Sequence, residues 1–350
     1  MRRRRRPLSL RYVSFEERAP SIGLSRILLF LGVMLVGVGL WMLPSTAWWH
    51  RHVGPLYEVV DIKDRDHVGN LGFSSRFPVE RLTTYRLGGA KGLDVPISVA
   101  EYRNESGLLE HATVFLQGIK AATSKASNPR MDLWTMASEA ILNHASPDAI
   151  YLTWWDNAQR IHFLTGEATA IRLPAEKSFQ DSPLAGFWKE VAGDYAKAPD
   201  SSLQLAQWLT MDAESALRDL RTKWPNAKPI YLFGCVDDLA RLSEIERLSG
   251  VKIPIEARYF PEASDLHAQI KEVRRWANEM GEGANYLVQP VSGGGVHAWR
   301  VTSPEASRLL LIRLLPFSKS LETPLEGVRL VYQSLWGAYI SIHEVIPAAP

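Results

Sequence analysis

The feature that most constrains this chain is one apolar run, ILLFLGVMLVGVGLWML from Ile27 to Leu43, which continues without charge to Trp49. Its 23 uncharged residues, Ile27 to Trp49, cross a hydrocarbon core of ~30 Å when wound as a helix rising ~1.5 Å per residue. Gly32, Gly37 and Gly39 are tolerable in a membrane helix, and Trp41, Trp48 and Trp49 fall where an aromatic belt lies. A cleaved signal peptide has an apolar stretch of only about 7–15 residues that ends at a small-residue site. Here the run is longer, and Ser45–Ala47 is followed directly by two tryptophans. The segment reads as an uncleaved signal-anchor. No second span is visible, since Leu309–Leu315 is short and interrupted by Arg313.

Charge orients the anchor. Residues 1–26 hold eight arginines against Glu16 and Glu17, so the rest of the chain keeps 32 of the 40 Lys+Arg and 36 of the 38 Asp+Glu. Basic flanks stay in the cytoplasm. The expected organisation is therefore a cytoplasmic Arg-rich tail (1–26), a transmembrane helix (27–49) and an extracytoplasmic body. Arg2–Arg6 also fits a twin-arginine signal, although a topology determinant is the simpler reading. The mildly acidic body argues against nucleic acid as a partner, because phosphate binding needs clustered cations. The single cysteine, Cys235, excludes an intrachain disulfide, a CxxCH haem site and a four-cysteine metal site, so no cofactor is expected. No GxSxG, HExxH or Walker sequence occurs. His50 and His52 beside the anchor read as solvated residues, not metal ligands.

The body divides by pattern. Residues 50–126 look β-rich, with strands expected at Tyr57–Ile62, Leu82–Leu87, Ile97–Tyr102 and Thr113–Gln117. Residues 127–350 alternate helices with short apolar runs. Helices are expected near Met131–His144, Ser202–Trp224, after Asp237–Asp238 as far as Gly250, and from Leu266 to Gly281. Strands are expected at Ala149–Trp155, Pro229–Gly234, Ile255–Phe260 and Ala284–Pro290. Such alternation predicts an α/β fold with a mostly parallel sheet flanked by helices. The C-terminal part should return to β at Val296–Thr302, Leu309–Leu315 and Tyr332–Ile342. Ser178–Pro199 reads as a long loop, and Ser292–Gly295 as a turn.

Ligands of open α/β sheets sit beyond the carboxyl ends of the strands. That rule selects four loops: Trp154-Trp155-Asp156-Asn157, Gly234-Cys235-Val236-Asp237-Asp238, Pro261-Glu262-Ala263-Ser264-Asp265 and Ser292-Gly293-Gly294-Gly295. Asp156 either caps the helix that follows or serves a site walled by Trp154 or Trp155, with Asn157 beside it and Arg160 as an anion clamp. Asp237 and Asp238 either cap the next helix or orient a substrate. Cys235 reads as a small buried hydrophobe, and the tryptophans as core unless the loops open.

The stretch ending in Trp154-Trp155-Asp156 resembles the WWD motif of oligosaccharyltransferase catalytic subunits. It departs from that motif at Asn157-Ala158, where those enzymes carry an aromatic residue and glycine. The resemblance implies a strand–turn–helix, not glycosyl transfer. The whole layout resembles the hydroxylamine oxidation protein HaoB family: an Arg-rich tip, one anchor, about 300 outer residues and the run Trp154–Arg160. That resemblance implies a periplasmic accessory protein anchored in the inner membrane. Hydroxylamine oxidoreductase or its electron acceptor would be the partner, and no catalytic residues carry over. The alternative is an anchored extracytoplasmic enzyme or sugar-binding domain with a strand-end site around Asp156.

Overall fold

A computed structural model describes residues 56–68, 73–87, 95–115, 129–146, 148–197, 200–223, 228–262, 265–279, 281, 283–290 and 295–347. The expected tail and anchor, and residues 292–294 of the expected turn, lie outside them. Among the described residues no helix is long and apolar enough to cross a membrane.

The β-rich segment is a four-stranded antiparallel meander. Its strands are β1 (Tyr57–Asp64), β2 (Val79–Leu87), β3 (Val95–Arg103) and β4 (Leu109–Val114), paired in chain order. Helix α1 (Pro129–His144) follows, then strand β5 (Ile150–Leu152), helix α2 (Trp155–Thr165) and strand β6 (Ala168–Thr169). Every residue of α2 is buried. One face of the meander meets it, with Tyr102 against Phe163 at 4.8 Å between ring centroids. The other face meets helix α3 (Ala185–Ala192), where Tyr85 donates to Glu190 at 3.0 Å. α3 lies inside the stretch expected to be loop. Its apolar Phe187, Val191 and Ala192 are buried, and Gly193 closes it at φ 87°.

The expected helix Ser202–Trp224 is two helices, α4 (Asp200–Thr210) and α5 (Ala213–Lys223). The interruption has one local and one tertiary cause. Asp212 accepts the Glu214 amide at 3.1 Å in a capping geometry, while the Met211 carbonyl accepts the Leu310 amide at 2.9 Å.

Strand β7 (Ile230–Cys235), wholly buried, joins the second sheet. A 3₁₀ turn (Val236–Arg241) leads into helix α6 (Leu242–Ser249), which ends at Gly250 in the left-handed region. The next strand is β8 (Ile255–Phe260), followed by helix α7 (Leu266–Asn278), strands β9 (Tyr286–Pro290) and β10 (Val296–Val301), and helices α8 (Leu310–Leu314) and α9 (Ser318–Glu322). The chain closes with β11 (Val328–Gln333), the short helix α10 (Leu335–Ala338) and β12 (Ile340–Val345).

The expected mostly parallel sheet is corrected here. Among the described residues, parallel pairing is confined to β5 with β6 and β5 with β7, within a five-stranded sheet of order β11-β12-β7-β5-β6 whose last two strands in the chain pair antiparallel. The runs expected at Ile255–Phe260 and Ala284–Pro290 leave it for a three-stranded antiparallel sheet, β8-β10-β9. The reason is composition. β8 reads IEARYF, and Glu256 and Arg258 cannot sit inside a sheet covered on both faces. Here Glu256 instead pairs with the buried Arg300 of β10 at 2.7 Å. α7 covers this small sheet, and the two share a core of Phe260, Val273, Trp276, Ala277, Val296 and Ala298.

Leu309–Leu315, expected as a strand, is corrected to helix α8. Leu310, Leu311, Ile312 and Leu314 are all buried, and a short apolar run carries no period that separates helix from strand. α8 fits because Gly234 of β7 has no side chain, since a Cβ there would come 2.9 Å from the Leu314 carbonyl.

Candidate functional site

β5 and β7 run parallel, so their carboxyl ends deliver Trp154 and Cys235 to the same end of the sheet. The chain then turns into α2 on one side and into the 3₁₀ turn and α6 on the other. Two of the four loops singled out in the sequence, those after β5 and β7, come together, and they close on each other.

Asp156 sits in the first turn of α2, where an acid suits the helix dipole. It is not the N-cap, which falls at Trp154, but one of its oxygens accepts the Asn157 amide at 3.0 Å. Its other oxygen takes two hydrogen bonds from Arg241, at 3.0 and 3.2 Å. Arg241 also binds Glu244 at 3.0 Å. The second oxygen of Glu244 accepts both indole N–H groups, from Trp154 at 3.1 Å and Trp155 at 3.0 Å. The Arg241 guanidinium lies over Trp188 at 4.3 Å from the ring centre. Burial works against its charge, but Asp156 and Glu244 outweigh burial and hold the cation firmly protonated. Burial pushes the Glu244 carboxyl upward, opposed by Arg241 and the indoles.

A second branch starts at Asn157. Its amide nitrogen donates to Asp238 at 2.7 Å, and its oxygen accepts from Arg160 at 2.8 Å. Arg160 reaches the meander, donating to the Thr113 carbonyl at 2.9 Å and hydroxyl at 2.7 Å. Its guanidinium lies over Phe115 and Trp134, 4.6 and 4.4 Å from the ring centres. Asp238 takes the Cys235 amide at 3.0 Å as part of a capping box. Burial drives the Asp238 carboxyl well upward, countered by that amide. Asp237 points elsewhere, accepting from the Tyr339 hydroxyl and facing Arg130 at 3.7 Å. Cys235 is fully buried, and burial raises its thiol far out of the reactive range.

Six of the seven candidate residues are therefore buried: Trp154, Trp155, Asp156, Asn157, Arg160 and Asp238, each no more than 6% exposed. The space beside Trp154 and Trp155, bounded by Ile171, Pro174 and Ser178, does not admit a water-sized sphere. Arg160 faces a backbone carbonyl, not an anion. The two hubs, Arg241 and Glu244, escape sequence reading because an Arg–Glu pair three residues apart on a polar helix reads as a solvated pair. Among the described residues no cluster of three or more His, Cys, Asp or Glu is placed to hold a metal ion. The arrangement ties the meander, α2, the end of β7 and α6 into one body. As it stands, it offers no open surface to a substrate.

Fold and site thus define an α/β protein whose strand-end loops are locked by buried polar contacts. The chain belongs to the family described as HaoA-associated protein HaoB, whose model matches residues 24–345. Membership links it to hydroxylamine oxidation through HaoA, the hydroxylamine oxidoreductase. No curated protein matches it. Among solved structures it is similar to the crystal structure of the C. jejuni PglB C-terminal domain. That likeness has 10% identity and a TM-score of 0.35, over 60% of this chain and 98% of that one, and is too distant to assign a shared fold.

Proposed function

We propose that this protein is a single-pass accessory of hydroxylamine oxidation, held in the inner membrane by residues 27–49, with its body in the periplasm. There it binds HaoA or the electron acceptor of HaoA. The observation that carries this reading is the family match from residue 24 to residue 345, which takes in the apolar run as well as the body. The arginine excess before the run supports the orientation. The closed network supports a binding role over an enzymatic one, since the residues best suited to chemistry are spent on one another. In this reading Trp154, Trp155, Asp156, Asn157, Arg160 and Asp238 hold the body rigid, and the contact surface lies elsewhere. An enzyme or sugar-binding site around Asp156 would require that network to open.

The test is capture of the tagged full chain from native membranes, with mass spectrometry of its partners and a haem stain. Enrichment of HaoA or a haem-bearing acceptor over an untagged control is the expected result. Recovery of the chain alone, in detergent and in native-membrane particles, would remove the partner. Topology is tested separately. Alkaline phosphatase fused after residue 60 should be active, and an inactive fusion would reverse the orientation.

A further inference from the structure

The opposite edge of the five-stranded sheet is built differently. Residues of α8, α9, β11 and β12 line a groove with room for about 200 Å3. That is smaller than the ~300–1,000 Å3 of ordinary drug-sized sites, so the occupant must be slender. Its lining is mostly apolar, with Leu315, Leu325 and Val328 among it and the exposed Leu321 and Leu330, and it also includes Ser320, Gln333 and Ser341.

Two polar groups line the same groove with bonding capacity to spare. Arg313, half-buried, donates to the Thr323 carbonyl at 2.6 Å and faces no carboxylate among the described residues. Burial disfavours its charge, and no carboxylate among the described residues offsets that cost. His343 stands on β12 between Leu330 of β11 and Leu232 of β7, and its imidazole makes no hydrogen bond among the described residues. A cation without a counter-ion and a neutral imidazole are both donors, and they stand against an aliphatic wall. Donors beside an aliphatic wall suit a ligand that joins an acceptor head to an apolar tail.

We propose that this groove binds an amphipathic carboxylate, with the acid on Arg313 and His343 and the aliphatic part along Leu321, Leu325 and Leu330. The occupant follows from charge complementarity. A neutral alkane leaves Arg313 uncompensated, and a bare inorganic anion leaves the leucine wall in water.

The test uses the full chain in phosphatidylcholine nanodiscs and a photoreactive diazirine analogue of decanoate, with labelled positions read by peptide mass spectrometry. Saturable labelling of residues 310–333 is expected. Unlabelled decanoate should compete about tenfold better than decanol, the ratio that one charge-assisted hydrogen bond supplies. Arg313→Gln should erase that preference while leaving decanol competition intact, and Arg313→Lys should retain it. Leu330→Asp should abolish groove labelling. Labelling confined to residues 27–49 would overturn the proposal. So would an equal preference for decanoate in Arg313→Gln and wild type, or no saturable label.

Discussion

Two regions of one sheet treat buried polar groups in opposite ways. At the carboxyl ends of β5 and β7, Arg241 meets two carboxylates, and Glu244 is shared by two indoles and a guanidinium. At the β11–β12 edge, Arg313 meets one carbonyl and the His343 imidazole makes no hydrogen bond among the described residues. The difference separates fold from readiness to bind. A matched group costs stability when removed, whereas an unmatched one costs stability by being present, and only the second kind is free for a partner.

The largest expected effect breaks the matched side. Arg241→Met leaves Asp156 and Glu244 buried without their cation and should cost ~3–5 kcal/mol in urea unfolding, enough to unfold a marginal domain. A loss under ~1 kcal/mol, on the scale of an exposed pair, would show that the network is wet. Next comes acidity at the unmatched side. Burial lowers His343 from its ordinary 6.5 to about 4. Between those values the unfolded chain takes a proton that the folded one refuses, so this stability is whole above pH 6.5 and falls as the pH drops toward 4. At pH 5 the loss should be about 2 kcal/mol relative to pH 7, and His343→Leu should flatten that part of the curve. Trp155→Phe removes one indole donor from Glu244 and keeps most of the bulk, which should cost ~1 kcal/mol. The smallest effect is Arg313→Met. With no carboxylate to orphan, it should shift unfolding by no more than ~0.5 kcal/mol, against the large loss at Arg241.

How much of this was legible in the residues depended on whether the signal was local. The helices at 129–144, 242–249 and 266–278 announced themselves by period and by stops such as Gly250. Three strands of the meander were legible, whereas the fourth, expected at Thr113–Gln117, lies earlier at Leu109–Val114. Sheet membership was not, because the rhythm of β8, α7 and β9 is the same whether the strands join the main sheet or pair around β10. The charges in Glu256 and Arg258 were the available clue. At the strand ends, Asp156, Asn157 and Asp238 stood out as polar residues in the right loops, and they do converge. Their closure depended on Arg241 and Glu244, about 85 residues from Trp155 in the chain, and no local pattern announces a contact at that distance. The groove was invisible for a related reason. The segment around Arg313 read as a strand, and α8 with α9 forms one of its walls.

Hydrogen exchange on the full chain tests the central claim most directly, that the strand-end cluster is a lock and not an open site. Backbone amides of α2 and α6, with those of Asn157 and Cys235, should exchange only through global unfolding, at rates that fall together with the unfolding constant. Adding HaoA should leave them unchanged. Fast exchange there in the free chain, slowed when HaoA or a small ligand is added, would contradict the account and make Asp156 and its neighbours the binding site.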